Sequence, residues 1–178
     1  GFPVAYDVFP GNTFEGHTFI PFLKGFIEKN GVKDFTIVAD AAMISSENIK
    51  QLMQNRINYI VAARLRNLSG TQLDLICNTI QREDGKSIRI KTDMGYLVCS
   101  YSSVRYRKDK HEMEKQIEKA NLVIEKPSRN KKVKFTQSEG TKFTLNQTLI
   151  EKTKKLLGIK GYYTNLEESV ADNATIIA

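Results

Sequence analysis

Asp40 is the residue whose type and position most favour chemistry. It directly follows the apolar run Phe35–Ala39, which is typical of a strand buried on both faces of a parallel sheet. α/β proteins place their reactive groups at the carboxyl ends of such strands. A carboxylate there is costly to bury unless it meets a metal ion, a cation or water. The alternative is that Asp40 caps a turn or the next helix.

The other acids, thiols and imidazoles offer weaker sites. Asp7 lies within a predicted strand and is interpreted as a structural acid. His17 and His111 are far apart and Cys77 and Cys99 form no C-x-x-C pair, which argues against a zinc site. A chain without a secretory signal needs no disulfide, so we expect two reduced thiols.

Positive charge is concentrated in one part of the chain. The formal net charge is +7, and residues 105–160 hold 16 basic and 7 acidic residues, a local net charge of +9. A dense positive segment suits a polyanion such as DNA, because each neutralised phosphate releases condensed counterions. The alternative is a lysine-rich surface that only keeps the protein in solution.

Composition indicates the class of protein. Hydrophobic residues make up 40% and charged residues 26% of the 178 residues, which favours a globular chain over a disordered one. No apolar run approaches the roughly 18 residues that span a bilayer, and the N-terminus has no signal-peptide pattern, so we expect a cytoplasmic protein outside the membrane. Gly1 opens a strand-like sequence without an initiator Met, so we expect a piece of a longer protein.

Strands and helices alternate around Asp40. Strands are predicted over residues 2–9, 35–40 and 58–63. The helix after the first strand begins near Thr13, is kinked or restarted at Pro21 and ends at Asn30. The next helix is capped by Ser45 or Ser46. The alternation predicts a right-handed α/β unit with parallel strands.

The rest of the chain combines helices with strands that read as antiparallel. Helices are predicted over residues 71–80, 108–125 and 146–157, with a further helix opening at 166–169. Strands, with turns between them, are predicted over residues 87–92, 95–107, 130–135, 141–145 and 161–165.

Three motifs follow one another in the first 66 residues. They are Phe9-Pro10-Gly11-Asn12-Thr13, Val38-Ala39-Asp40 and the stretch Tyr59–Arg66. A lone Val-Ala-Asp would be weak, but this combination is similar to insertion-sequence transposases of the DDE superfamily. The similarity thins toward residue 160 and returns at residues 161–166.

The resemblance implies an α/β fold, namely a partial RNase H-like mixed sheet with a β-rich insertion. Such transposases use two Asp and one Glu to hold two divalent ions, Mg²⁺ or Mn²⁺, which activate water or a 3′-hydroxyl for attack on DNA. Asp40 corresponds to the second acid, and is thus the predicted catalytic residue and metal ligand. The first acid is expected upstream and the third downstream, because Glu167 and Glu168 come too early. We expect this segment alone not to cleave DNA.

The resemblance also implies domain boundaries and DNA contacts. It implies a partial core over residues 1–66, a β-rich, basic insertion with helices over residues 67–160, and a return to the core over residues 161–178. Related transposases touch transposon-end DNA with this insertion. The predicted DNA-binding residues, each of which could equally be a solvated charge, are Arg64, Arg66, Arg129, Lys131, Lys132 and Lys134. The candidates for stacking on a base, which are better explained by sheet packing, are Tyr96, Tyr101 and Tyr106.

The intact protein is expected to cleave transposon ends and join them to target DNA, in the bacterial cytoplasm and on the nucleoid when bound. Without the strand of the first acid, the Asp40 strand has an open edge, which residues 2–9 or a second copy would cover, so a homo-oligomer is one expectation. The alternatives are a non-catalytic DNA-binding remnant of a transposase and an unrelated phosphoacceptor receiver. The receiver is disfavoured because residues 1–6 lack an acid pair.

Overall fold

Apolar runs of two different periods build a mixed α/β structure. The computed structural model describes residues 5–10, 15–41, 45–126, 133–139 and 142–178. The helices in these ranges are α1 (Glu15–Asn30), α2 (Ser46–Gln54), α3 (Gly70–Thr79), α4 (Ser103–Glu125), α5 (Gln147–Lys155) and α6 (Asn173–Ile177). The strands are β1 (Thr36–Ala39), β2 (Asn58–Ala62), β3 (Ser87–Thr92), β4 (Gly95–Tyr101), β5 (Thr136–Glu139), β6 (Lys142–Leu145) and β7 (Ile159–Thr164).

Five strands form one mixed sheet in the order β1-β2-β7-β4-β3, and β5 and β6 form a two-stranded sheet. β1 and β2 are parallel, with Val38 opposite Ile60. β2 and β7 are antiparallel, with Val61 opposite Tyr163. The mixed α/β class and the parallel pairing of the Asp40 strand are therefore confirmed.

The chain divides into two compact units. The first comprises Gly1–Arg64, Ile88–Val98 and Gly161–Ala178, and the second comprises Leu65–Ser87 and Cys99–Lys160. β3, β4 and β7 have their larger parts in the first unit. None of the helices in the described residues is long and apolar enough to cross a membrane.

The first unit is held together where β2, β7 and β4 meet. The Asn165 side chain continues the β2–β7 pairing: its Oδ1 accepts from Tyr59 N at 3.0 Å and its Nδ2 donates to Ile57 O at 3.0 Å. The buried Tyr59 hydroxyl donates to Met94 O at 2.8 Å. Burial raises the pKa of Tyr59 to about 12, so this donor stays protonated. A separate apolar cluster joins β4 to the segment after β7 and consists of Val98, Leu166, Ala171 and Ile176.

The second unit packs around Phe135, which is 1% exposed. Its core comprises Met113, Ala120, Phe135, Ile150 and Leu157. Met113 and Ala120, seven residues apart, define the inward face of α4. The start of α5 is fixed by Asn146, whose Oδ1 accepts from Leu149 N at 2.9 Å.

Both cysteines are free thiols, as the sequence predicts. Cys77 is half-buried and Cys99 is buried. Burial raises the pKa of Cys77 and raises that of Cys99 to about 12. At neutral pH both thiols are therefore protonated.

The predicted first strand is wrong where the structure describes it. Residues 5–10 form no regular structure, and Tyr6 and Val8 are 85% and 81% exposed. A strand-like sequence becomes a strand only when another strand completes its hydrogen bonds, and none of the described strands pairs with residues 5–10. Residues 1–4 lie outside the described part of the chain.

Several predicted boundaries are also wrong, because capping side chains decide where elements begin. Residues 103–107 are helical rather than strand, since Ser102 accepts from Arg105 N at 3.4 Å and thereby starts α4. Residues 133–135 form a turn in which Thr136 Oγ1 donates to Val133 O at 2.8 Å, so that strand begins only at Thr136. Within the described part of residues 67–160, helices consequently occupy more of the chain than strands do.

Two helix predictions near the ends of the first unit need correction as well. Residues 168–170 form a turn, and the helix opens later because Asp172 caps α6. α1 continues through Pro21 without a restart and ends, as predicted, before Gly31, which has a φ of 60°.

Gly95→Ala should destabilise the first unit. Gly95 has a φ of 80°, and a Cβ there would overlap the carbonyl oxygen of Thr164. Backbone strain and overlap together predict a loss of about 2–4 kcal/mol in the free energy of unfolding, measured by urea denaturation. Gly31→Ala is the matched control, since Gly31 also has a positive φ but open space around it, and it should cost about 1 kcal/mol. Equal losses would contradict the close approach.

Cys99 should react with a disulfide reagent only after unfolding. In Cys77→Ser, where Cys99 is the remaining thiol, we expect reaction with Ellman's reagent at pH 8 to be at least about 100-fold slower in buffer than in urea, because the thiolate is the nucleophile. A similar rate in both solvents would show that Cys99 is accessible in the folded chain.

Candidate active-site strand and nucleic-acid interface

Asp40 lies at the carboxyl end of β1 and is exposed. The parallel pairing of β1 with β2 extends to Ala39 opposite Val61, so Asp40 is the first residue after the paired part of β1. It does not cap α2, because that role belongs to Ser45, whose Oγ accepts from Asn48 N at 3.1 Å. The helix-cap alternative for Asp40 is thereby excluded.

The predicted burial of β1 on both faces is wrong. Val38 is 75% exposed, whereas Tyr59 and Val61, on the neighbouring β2, are buried. The difference arises because β1 is the edge strand, with β2 as its one neighbour in the described sheet. The expected open edge beside Asp40 is therefore present in the described part of the chain.

The described residues do not complete a divalent-metal site. No group of three or more His, Cys, Asp or Glu residues within them could hold a metal ion. A single carboxylate such as Asp40 leaves Mg²⁺ with most of its waters, because this ion needs several converging oxygen ligands. Glu167 has another role, since its Oε2 accepts from the Tyr96 hydroxyl at 2.7 Å.

Arg89 holds the segment that follows β7. Its Nη1 donates to Leu166 O at 3.2 Å and its Nη2 to Ala171 O at 2.7 Å. Its Nε donates to Asn173 Oδ1 at 3.0 Å, and its guanidinium lies 5.3 Å from the centre of the Tyr96 ring. Reasoning from sequence missed Arg89, because a lone Arg in an alternating strand gives no signal of such a role.

The three tyrosines considered for base stacking are engaged within the protein. The hydrogen bond from Tyr96 to Glu167 raises the pKa of the Tyr96 phenol. The Tyr101 and Tyr106 rings lie 6.4 Å apart at a tilt of 46°, and both are half-buried. These contacts agree with packing inside the protein, but Tyr106 lies in α4 and not in the predicted sheet.

The structure brings together some of the predicted DNA-binding residues. Arg64 is exposed in the first unit. In the second unit, burial and then the positive charge of Arg66 lower the pKa of Lys134, whose Nζ lies 4.8 Å from the Phe135 ring centre. Lys152, which the sequence did not single out, donates to Leu68 O at 3.2 Å, near Arg66 in the chain. The remaining predicted contacts, which lie outside the described residues, are Arg129, Lys131 and Lys132.

The family model of the transposase DDE domain matches residues 1–171. The chain belongs to the transposase DDE domain family. The resemblance found in the motifs around Pro10 and Asp40 is therefore confirmed over nearly the whole sequence. No curated protein and no solved structure matches the chain.

Replacing Arg66 should raise the pKa of Lys134. In Arg66→Gln we expect the pKa of the Lys134 ammonium to move up toward its ordinary value, because a neighbouring positive charge disfavours the protonated form. Nuclear magnetic resonance of the lysine side chain across a pH series would measure the change. Arg82→Gln, which removes an arginine that binds Lys155 O instead, should leave this pKa unchanged. If the pKa of Lys134 did not change in Arg66→Gln, the charge of Arg66 would not act on Lys134.

Proposed function

We propose that the chain is part of a DNA transposase that cleaves DNA at transposon ends and transfers the strand to target DNA. The observation that carries the proposal is the exposed Asp40 at the end of β1, beside a parallel strand, in a member of the transposase DDE domain family. Strand ends of this kind are where α/β proteins gather their reactive groups. The corresponding fold is a partial RNase H-like sheet.

Asp40 is proposed as the second of three acids. Together with further carboxylates of the intact protein, it would hold Mg²⁺ or Mn²⁺, ions that activate the attacking oxygen in phosphoryl transfer. In this proposal, the chain positions the Asp40 carboxylate. The β1–β2 ladder fixes the backbone up to Ala39, and the exposure of Asp40 leaves its carboxylate within reach of a phosphodiester.

The basic residues are proposed to bind DNA. Arg66 and Lys134 repel one another, and a phosphate beside them would relieve this repulsion. The other proposed contacts are Arg64, Arg129, Lys131 and Lys132. The proposal also includes a core over residues 1–66 and 161–178 with an insertion over residues 67–160. It further includes a homo-oligomer through the β1 edge and a cytoplasmic location on the nucleoid.

The second candidate is a non-catalytic DNA-binding remnant of a transposase. The described residues hold no group of three or more metal-binding side chains, as both candidates expect of a segment that supplies one acid of three. Such a remnant would bind DNA through the same basic residues without cleaving it.

Asp40→Asn should abolish cleavage by the intact transposase. We expect Mg²⁺-dependent nicking of a plasmid that carries the transposon ends to fall at least about 100-fold, because a lost metal ligand removes several kcal/mol of transition-state stabilisation. Asp34→Asn is the matched control, as Asp34 is also exposed and precedes the same strand. Its nicking rate should stay at that of the wild type.

The same assay separates the two candidates. Equal nicking by Asp40→Asn and the wild type would remove Asp40 from the active site, and an intact protein that binds but never nicks would be a remnant. The 178-residue chain alone should not nick DNA, and nicking by this chain that is lost in Asp40→Asn would contradict the expectation that it supplies one acid of three.

A further inference from the structure

The outer face of α4 carries lysines that the proposed DNA contacts leave unused. Met113 and Ala120 are buried and mark the inward face of this helix. Lys108 and Lys115 have the same spacing of seven residues but are exposed, and Lys119 follows four residues later. Because residues four and seven apart share a helix face, these three lysines form one row that faces solvent.

The acids around this row offset part of its charge. Asp109 pairs with a cation outside the row, since its Oδ2 lies 3.4 Å from Arg105 Nε and accepts from Gly158 N at 3.2 Å. Glu112 Oε1 accepts from Gln116 Nε2 at 2.7 Å, but this neutral donor leaves the negative charge of Glu112 beside the row.

Two further acids of α4 lie near the row. Glu114 pairs with Lys110 at 3.9 Å. Glu118 lies beside the row and reduces its charge, but the three lysines form no salt bridge within the described residues. Three lysines against Glu112 and Glu118 leave the row with a small positive excess.

We propose that Lys108, Lys115 and Lys119 bind the phosphate backbone of duplex DNA, as contacts additional to Arg66 and Lys134. The inference rests on DNA being the partner of the protein. The row is about 16 Å long at 1.5 Å per residue, which is the axial length of about five base pairs at 3.4 Å each. Flexible lysines in one row along a helix suit phosphates, which carry no sequence information.

An acidic protein is the less favoured occupant. A protein partner would need an apolar anchor beside the charges. The exposed apolar residues of α4 are Val104 and Leu122, at 66% and 61%. They lie about 27 Å apart along the helix, too far to form one patch.

The test is the salt dependence of binding of the 178-residue chain to a labelled duplex, measured by fluorescence anisotropy. The variant Lys108→Gln/Lys115→Gln/Lys119→Gln is compared with a control that removes the same charge from exposed lysines of the first unit, Lys33→Gln/Lys50→Gln/Lys91→Gln. Circular dichroism confirms that both variants fold. Each phosphate contact contributes about 0.9 to the slope of log K against log salt. We therefore expect the α4 variant to lose about 2–3 from the slope and the control to lose less than about 1.

The outcomes separate the inference from the proposed function. If the wild type binds DNA and the α4 variant keeps its slope, or loses no more than the control, the α4 surface is wrong while DNA remains the partner. If the wild type does not bind the duplex, both the DNA partner and this surface are overturned. If the α4 variant loses affinity for poly-glutamate but not for the duplex, the face serves an acidic protein, and the inference is wrong.

Discussion

The side-chain amide of Asn165 satisfies backbone groups at the start of β2, the strand that pairs with the Asp40 strand. β2 lies between β1 and β7, and its pairing with β7 runs from Ile60 to Ala62. Beyond Ile60, the Asn165 amide takes the place of the next strand residue by bonding Tyr59 N and Ile57 O. Unpaired backbone groups in this half-buried position would cost about 1–3 kcal/mol each. One side chain therefore extends the pairing at the start of β2, the strand with which β1 pairs.

In the second unit, α4 has buried apolar residues on one side and charged residues on the opposite side. α4 contributes Met113 and Ala120 to the core around Phe135, while Lys108, Lys115 and Lys119 are exposed on its other side. A helix with this pattern gains its stability from the packed side, because exposed ion pairs add little. The exposed side is thus free to carry charge at small energetic cost.

The sequence predicts elements well where a capping residue adjoins a periodic apolar run. Ser45 and Gly31 mark a helix start and a helix end as predicted, and the apolar runs of β1 and β2 predict their parallel pairing. Strand boundaries fail where local side chains override propensity, as at Ser102.

Contacts between distant parts of the chain leave even less trace in the sequence. The Arg89 contacts span 77 to 84 residues and those of Asn165 span 106 to 108, so no local pattern records them. The placement of Asp40 at a strand end is predictable because the apolar run stops there. Its proposed role as a metal ligand needs further acids, and the described residues do not form a group of three or more such ligands.

The brevity of β1 limits unwanted association. An edge strand offers unpaired backbone groups to any extended chain, and the exposed Val38 adds an apolar contact. β1 has four residues, of which about half direct their backbone groups away from β2. An extended chain could therefore form few hydrogen bonds with the described edge of β1 alone, so a stable partner at this edge needs contacts beyond the strand itself.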